Sequence, residues 1–400
     1  MQVLFGYHYY RYPVDVRQTT ETLMQRYRDA GFNVKSFPLT LNPPGPKVNW
    51  PLLDTCWRRG DRQLMAMYEQ LAKELEGCSV FLNYGGLNIH PEFLRQLPTF
   101  NVMIHFDDPE NSETVSKPVA HAYDLCLVCN RSEVDTYFSW GAKRAEFLPL
   151  GYRHDDADPN LTLEKVRSQK RDVDLTILCE RETLWRRERL DKICAAFPQG
   201  RYHGLGWSTG FLEEADRIPL YGRTKVGINL HNTSGPINVR LYALPANGVM
   251  QICDCKNYLG DIFEIGKEIV AYDTTEEAID LCRYYLDHEE ERLQIAAAGY
   301  ERAVRDYNEV AVFRRAMDRI QHFMALDAKP REDLDLVVVG TKLEKHKHRT
   351  RWSSKWHATQ TVYNNWKHKA TRWAARTKNQ ILHAIIPKRD RGPSMQAADD

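Results

Sequence analysis

The sequence predicts an α/β protein of two consecutive domains, each a parallel sheet covered by helices on both faces. The first 150 residues alternate short apolar runs with longer amphipathic segments, which is the pattern of repeated β-α-β units. The same alternation restarts near residue 172, after a polar, Asp-rich stretch. With 400 residues, 42% of them apolar, the chain has enough material for two cores.

Each domain contains five apolar runs of strand length. In the first domain the predicted strands are 2–5, 34–37, 79–82, 101–105 and 125–129, with helices over 19–30 and 62–76. In the second domain the predicted strands are 174–179, 200–203, 226–230, 249–253 and 269–272, with helices over 182–196, 239–246, 275–286, 289–306 and 310–325.

These runs divide the chain into four parts. They are an N-terminal Rossmann-like domain (1–153), a linker (154–171), a C-terminal Rossmann-like domain with closing helices (172–326) and a tail (327–400). Ligands of open parallel sheets bind outside the carboxyl ends of the strands. We therefore expect one cleft between the strand ends of the two domains.

Two segments of the second domain contain candidate ligand-binding residues. Gly206 and Trp207 follow a strand in a glycine-rich turn, which either lets a ligand approach the backbone or serves only as a turn. His231 ends the next strand, and Asn238 and Arg240 begin the helix after it. Helix starts and arginines suit phosphate, although Asn238 as a simple cap and Arg240 as a surface cation are the alternative.

In the first domain, Asp107 and Asp108 follow a strand end, and His8 follows the first strand. Adjacent carboxylates raise one another's pKa, which is typical of a general base, and they also bind sugar hydroxyls. The alternative is structural, with Asp108 as a helix cap before Pro109 and His8 as a turn residue.

An ordered series of short motifs resembles a known family. The series is Asn229-Leu-His231, Asn238-Val-Arg240-Leu-Tyr242, Ala246-Asn247-Gly248, Cys253-Asp254, Phe263-Glu264-Ile-Gly266-Lys267-Glu268 and Ile295-Ala-Ala-Ala-Gly299. In order and spacing it is similar to the C-terminal half of the CgeB-like, spore-maturation-type glycosyltransferases of the GT-B fold. The similarity covers about 172–320 well and the N-terminal half loosely.

The resemblance implies a nucleotide-sugar donor on the second domain, an acceptor on the first and no obligatory metal or other cofactor. It places Arg187 near the donor phosphates and Asp254 in the donor site, and it favours retention of the anomeric configuration. One position departs from the family, because Ala243 stands where an acid usually holds the donor ribose. Altered donor binding and lost activity both remain open.

The tail has a composition of its own. Residues 341–391 hold 14 Lys and Arg and only two acids, whereas the net charge of the whole chain is +1. Trp352, Trp356, Trp366 and Trp373 recur at helical spacing, with basic residues such as Lys367 and Arg372 around them. This pattern predicts a helix that lies on an anionic membrane surface, and nucleic acid is the alternative partner.

Three functions follow from these observations. The first is a glycosyltransferase at the cytoplasmic membrane face that acts on a glycan or lipid-linked acceptor. The second is a glycosyltransferase that modifies nucleic acid, and the third is an inactive nucleotide-sugar-binding or assembly protein. Nine scattered cysteines without a CxxC pair, together with the lack of a recognisable secretion signal, predict reduced thiols in a cytoplasmic protein.

Overall fold

The computed structural model describes residues 1–8, 16–41, 49–181, 184–232, 235–254 and 256–327, together with 343, 344 and 346, apart from the side chains of 184, 185 and 214. These residues form two parallel sheets with helices packed on both faces of each.

The first sheet has the strand order β2-β1-β3-β4-β5-β6. Its strands are β1 (Gln2–Tyr7), β2 (Asn33–Pro38), β3 (Val80–Tyr84), β4 (Phe100–His105), β5 (Leu125–Val128) and β6 (Ala145–Phe147). Its helices are α1 (Val16–Asp29), α2 (Trp50–Arg58), α3 (Arg62–Glu74), α4 (Pro91–Leu94) and α5 (Val134–Ser139). The order reverses between β1 and β3, so a crevice opens at the carboxyl ends of these two strands.

The second sheet has the strand order β11-β10-β9-β7-β8 and reverses between β7 and β9. Its strands are β7 (Val173–Leu178), β8 (Arg201–His203), β9 (Thr224–Asn229), β10 (Met250–Cys253) and β11 (Val270–Ala271). Its helices are α6 (Leu163–Ser168), α7 (Leu184–Ala196), α8 (Glu214–Arg223), α9 (Arg240–Ala246), α10 (Lys256–Leu259), α11 (Thr275–Asp287) and α12 (Glu289–Asp306). The last helix of the described chain is α13 (Glu309–Leu326).

The α13 helix packs on the first sheet rather than on the second. Its buried side chains share a core with β1, β3, β4 and β5, and the Phe313 ring stacks on Tyr27 of α1 with 3.9 Å between ring centroids. Two ion pairs add to this contact. Arg144 binds Asp327, and Arg319 Nε lies 2.8 Å from Glu146 Oε2. The predicted domain 172–326 therefore ends in a helix that belongs to the core of the first domain.

Part of the predicted linker also packs in a core. Leu161 and Val166 are buried with β7, β9 and β10, so 154–171 is attached to the second sheet over much of its length. The chain crosses between domains beside α13, where the Tyr152 amide donates to the Tyr307 carbonyl at 2.9 Å. Beside this crossing, Arg217 and Val239 of the second domain reach a cavity at strand ends of the first sheet.

Candidate active site between the two sheets

A cavity of about 860 Å³ lies at the carboxyl ends of β1, β3 and β4. The α13 helix and the start of the linker complete its wall, and Arg217 and Val239 reach it from the second domain. Val239 directly precedes Arg240, so the cavity extends to the start of α9. A volume of this size suits a ligand of drug-like dimensions.

The two neighbouring aspartates have different environments. Asp107 is half-buried and lines the cavity. Asp108 is 1% exposed, and its carboxylate accepts hydrogen bonds from Ser116 Oγ at 2.7 Å and from Tyr137 OH at 2.6 Å. His105 Nε2 lies 3.2 Å from the same carboxylate. Of the pair, only Asp107 lines the cavity.

The raised pKa that the sequence predicted for this pair is wrong for Asp108. Burial by itself would raise the pKa of this carboxyl group. Its hydrogen bonds to His105, Tyr137 and Ser116 and the charge of His105 outweigh burial and hold the pKa below its usual value of 3.8. Asp108 is therefore ionised inside a hydrogen-bonded core and braces the loop that presents Asp107. It does not cap an α-helix, since 107–111 forms turns.

The second candidate region lies where the second sheet reverses. Arg186 of α7 is 4% exposed and joins the two sides of this point. Its guanidinium donates to the Glu180 carbonyl, just after β7, at 3.0 Å and to the Leu230 carbonyl, just after β9, at 2.8 Å. Its neighbour Arg187, which the resemblance placed near the donor, is exposed.

Arg240 reaches the same strand end as Arg186. Arg240 is half-buried, and its Nε donates to Asn229 Oδ1 at 3.3 Å, next to the Leu230 carbonyl that Arg186 binds. Burial lowers the pKa of the Arg186 guanidinium, and the charge of Arg240 also lowers it, whereas Cys179, Asp254 and Glu180 raise it. Two guanidinium groups fixed at one strand end suit an anionic ligand.

A network of amide side chains fixes this region. Asn229, at the end of β9, exchanges hydrogen bonds with Asn238 at 3.0 and 3.1 Å and also donates to Gln251 Oε1 at 3.2 Å. Asn238 Oδ1 accepts from the Leu241 amide at 2.9 Å and so caps the first turn of α9. The Asn229–Asn238 pair also ties the start of α9 to the end of β9.

His231 and Asp254 lie together at the ends of β9 and β10. Asp254 Oδ2 accepts from the His231 amide at 2.8 Å, and Oδ1 contacts the ring Nδ1. The ligand atoms of His231, Cys253 and Asp254 lie within 4.8 Å of one another, and such a set suits a metal ion. Both carboxylate oxygens already accept from His231, however, so the geometry is equally that of a carboxylate that orients a histidine.

The glycine-rich turn packs on its own domain. Gly204 has a φ of +136°, and a Cβ there would lie 2.3 Å from the Cys179 carbonyl. Trp207 Nε1 donates to that carbonyl at 2.6 Å, and its ring stacks on Tyr202. Gly206 is exposed. The turn therefore lies beside the end of β7, with the Trp207 ring engaged by the protein.

Ala243 is 3% exposed and belongs to the same buried core as Tyr242, Leu244 and Phe263. His8 lines the first-domain cavity together with Asp107. The residues that sequence reasoning missed are Arg186, Arg153, Arg217 and Glu309, of which the last three line the cavity.

The predicted membrane-binding residues Trp352, Trp356, Trp366, Trp373, Lys367 and Arg372 lie outside the described residues. Within the described part, no helix is long and apolar enough to cross a membrane. Leu343 and His346, at the start of the basic segment, contact the first domain. Leu343 is 1% exposed, and the His346 ring stacks on Trp57 with 4.2 Å between centroids.

Residues 163–318 match a family model described as glycosyl transferase-like. Among curated protein sequences, none matches the chain. Solved structures align with about four fifths of the chain at low sequence identity, and such a likeness shows the fold alone.

Sucrose-phosphate synthase from Thermosynechococcus elongatus aligns with a TM-score of 0.56 at 13% identity, over 81% of this chain and 100% of that one. A glycosyltransferase from Rickettsia africae aligns with a TM-score of 0.53 at 10% identity, over 81% and 98%. Anabaena HepE in complex with UDP and glucose aligns with a TM-score of 0.52 at 11% identity, over 80% and 100%. With its two facing parallel sheets and these neighbours, the chain has the GT-B fold of glycosyltransferases.

Proposed function

We propose that the chain is a glycosyltransferase that takes a sugar from a nucleotide-sugar donor. The donor diphosphate binds at the reversal point of the second sheet, and the acceptor binds in the first-domain cavity. The observation that carries this proposal is that Arg186 and Arg240 both hydrogen-bond to the end of β9, through the Leu230 carbonyl and Asn229 Oδ1.

The comparisons with known proteins also support a nucleotide-sugar donor. The family-model match covers β7 to β11, and therefore all of the donor-side residues discussed above. HepE, which shares the fold, was solved with UDP and glucose and also with UDP-glucose. A uridine nucleotide sugar is therefore the first donor to test.

In the proposed reaction, Arg240 binds the donor diphosphate through charge-assisted hydrogen bonds and stabilises the negative charge that develops as the nucleotide leaves. Arg186 links the ends of β7 and β9 through its two carbonyl contacts and adds positive charge to the donor site. Asp107 accepts the proton of the acceptor hydroxyl or holds that hydroxyl in place, with His8 nearby in the same cavity. His231, oriented by Asp254, contacts the donor.

The finer assignments rest on the sequence resemblance and on the tail. They are membership of the CgeB-like group, catalysis without an obligatory metal, retention of configuration, and a glycan or lipid-linked acceptor at the cytoplasmic membrane face. Trp207 and Gly206 are candidates for contacts with the donor base, and Arg187 is a candidate for a donor contact.

A calorimetric titration with UDP and UDP-glucose in the presence of EDTA tests the donor site. We expect binding to the parent and at least about tenfold weaker binding to Arg240→Ala, because each charge-assisted hydrogen bond contributes roughly 1.5–3 kcal/mol. Arg283→Ala, which removes an exposed arginine paired with Asp280 on α11, is the matched control and should bind like the parent. Equal affinity of Arg240→Ala and parent contradicts the assignment, and binding that requires added Mg²⁺ contradicts metal independence.

A further inference from the structure

One wall of the cavity is built by two helices. Leu23 and Tyr27 come from α1, and Val312, Phe313 and Ala316 come from α13. Further aromatic rings line the strand side, where Phe5 stacks on Tyr84 and Tyr84 contacts Phe106, with centroids 5.2 and 5.1 Å apart. Most of the lining is therefore apolar or aromatic, which suits the body of a hydrophobic ligand better than a fully hydroxylated sugar.

One carboxylate interrupts this apolar wall. Glu309 is the first residue of α13, lines the cavity and has a side chain only 6% exposed. Its Oε1 accepts a hydrogen bond from Arg26 Nε, and His154 Nδ1 lies 3.7 Å from that oxygen. Its Oε2 is buried and has no hydrogen-bond partner among the residues that the structure describes. A buried carboxylate oxygen without a partner is costly, so a ligand that donates a hydrogen bond to it gains binding free energy.

Two buried tyrosines lie beside this carboxylate. Burial raises the pKa of Tyr27 and of Tyr152, and the negative charge of Glu309 raises both further. The Tyr27 pKa also responds to Tyr84 and Arg153, which line the same cavity. The polar groups are thus gathered where α1, α13 and the linker meet.

The charges of the lining argue against an anionic ligand in this part of the cavity. Asp107, Asp155, Asp156 and Glu309 contribute carboxylates, whereas Arg153 and Arg217 contribute guanidinium groups. Arg217 lies 2.8 Å from Asp156, and Arg26 already balances the charge of Glu309. The remaining requirement at Glu309 Oε2 is a neutral hydrogen-bond donor.

We propose that the cavity binds acceptors with an apolar ring or chain body, and that Glu309 selects them by accepting a hydrogen bond from an acceptor hydroxyl at Oε2. The inference rests on the proposed function, since it names the acceptor class of that site. Glu309 acts here as a specificity-determining residue, distinct from Asp107, which lies at the reacting end.

A fluorescence titration with a matched pair of probes tests the proposal without any nucleotide. 2-Naphthol has the apolar ring body and the hydroxyl, and 2-methoxynaphthalene has the same body without a hydrogen-bond donor. We expect the parent to bind 2-naphthol about tenfold more tightly than its methyl ether, because the hydroxyl satisfies a buried carboxylate oxygen.

Three variants assign the difference to Glu309. Glu309→Ala should bind the two probes equally, and Glu309→Gln, which keeps an acceptor oxygen, should retain part of the preference. Arg26→Gln removes the ion-pair partner but keeps the carboxylate, so it controls for the structural role of Glu309 and should keep the parent preference. Melting curves identify a variant that fails to fold, in which case Glu309→Gln takes the place of Glu309→Ala.

Two results overturn the proposal. One is that neither naphthalene binds the parent, and the other is that Glu309→Ala or its glutamine replacement keeps the full preference. A wrong donor-site proposal is distinguishable from a wrong acceptor proposal. It would be seen in the UDP titration and would leave these nucleotide-free measurements unchanged.

Discussion

At the scale of single residues, the neighbours Asp107 and Asp108 illustrate how environment assigns roles to identical side chains. Both follow β4 in a turn, but they lie in different surroundings. Asp107 lines the cavity, while Asp108 is enclosed by Ser116, Tyr137 and His105. A carboxylate surrounded by donors stabilises the fold, whereas one beside an open cavity is available for proton transfer.

We therefore expect substitutions of the two aspartates to have different effects. Asp107→Asn should lower turnover by about 10²–10⁴ with an unchanged melting temperature, since a general base contributes about that much. Asp108→Asn should lower the free energy of unfolding by about 1–3 kcal/mol, because a buried hydrogen-bonded charge is lost. Steady-state kinetics and thermal melts of both variants separate these outcomes. Full turnover of Asp107→Asn contradicts its proposed role.

The pH dependence of unfolding checks the Asp108 assignment. Its pKa in the folded protein is below the usual value of 3.8, so its contribution to stability is fully present above that value. The contribution is lost as pH falls through the folded pKa. The stability gap between parent and Asp108→Asn should therefore be largest near neutral pH and shrink as the pH falls below 3.8. A gap that persists unchanged in acid would contradict the assignment.

Arg186 and Arg187 show how helix phase could have improved the sequence interpretation. Leu190 and Ile193 of α7 are buried, and position 186 lies on the same face four residues before Leu190. Arg186 is accordingly buried and bonded to the carbonyls of Glu180 and Leu230. Position 187 lies about 100° further round the helix and is exposed. The resemblance selected Arg187, which is the exposed one of the two.

At the scale of elements, the strands were the predictable part. Buried parallel strands are continuous apolar runs, so all five predicted strands of each domain have a counterpart in the structure. The β6 strand was missed because three residues, Ala-Glu-Phe, carry no pattern. The α8 helix was missed because Pro219 and Gly222, two residues that disfavour helix, lie within it.

The sequence did not predict which sheet α13 packs on, for a different reason. Periodicity reveals that a helix has an apolar face but not which sheet covers it. Glu309 meets Arg26 across 283 positions of sequence, and no local pattern records that contact. The acceptor cavity is built by such long-range contacts, so its carboxylate was not foreseen, whereas Asp107 and His8 were, because each directly follows a strand.

The end of α9 provides a stability test at the element scale. The Gly248 amide donates to the Pro245 carbonyl at 2.8 Å and the Val249 amide to the Leu244 carbonyl at 3.0 Å, which is a Schellman cap. Gly248 has a φ of +65°, and a Cβ there would lie 2.7 Å from Val166 Cγ2. We expect Gly248→Ala to lower the free energy of unfolding by at least about 1 kcal/mol in urea titrations.

Gly222→Ala is the matched control for this prediction. Gly222 lies within α8, and the nearest atom to an added Cβ is Gln169 Nε2 at 3.8 Å, an ordinary contact. Alanine is a better helix former than glycine, so this variant should be as stable as the parent or up to about 1 kcal/mol more stable. If both variants lose stability equally, the left-handed conformation of Gly248 is not the cause.

At the scale of the whole molecule, α13 and the residues after it bring the chain back to the first domain. Leu343 is buried in the core beside α2 and α3, and His346 stacks on Trp57 and contacts its carbonyl oxygen. The basic segment therefore begins at the first domain, which is the domain where we propose that the acceptor binds.

The tail prediction separates a membrane partner from a nucleic-acid partner. Apolar burial of Trp352, Trp356, Trp366 and Trp373 tolerates salt, and each nearby Lys or Arg adds about 1 kcal/mol on an anionic surface. Phosphate contacts alone weaken steeply as salt rises.

We expect the parent to sediment with anionic phospholipid vesicles. A chain cut after residue 347, which keeps the Leu343 and His346 contacts, should remain in solution and still bind UDP. Changing the four tryptophans to serine should release the chain from vesicles although every tail charge remains. Vesicle binding that survives these four changes, or a parent that ignores vesicles and retains DNA, would reject the membrane assignment and favour nucleic acid as the partner.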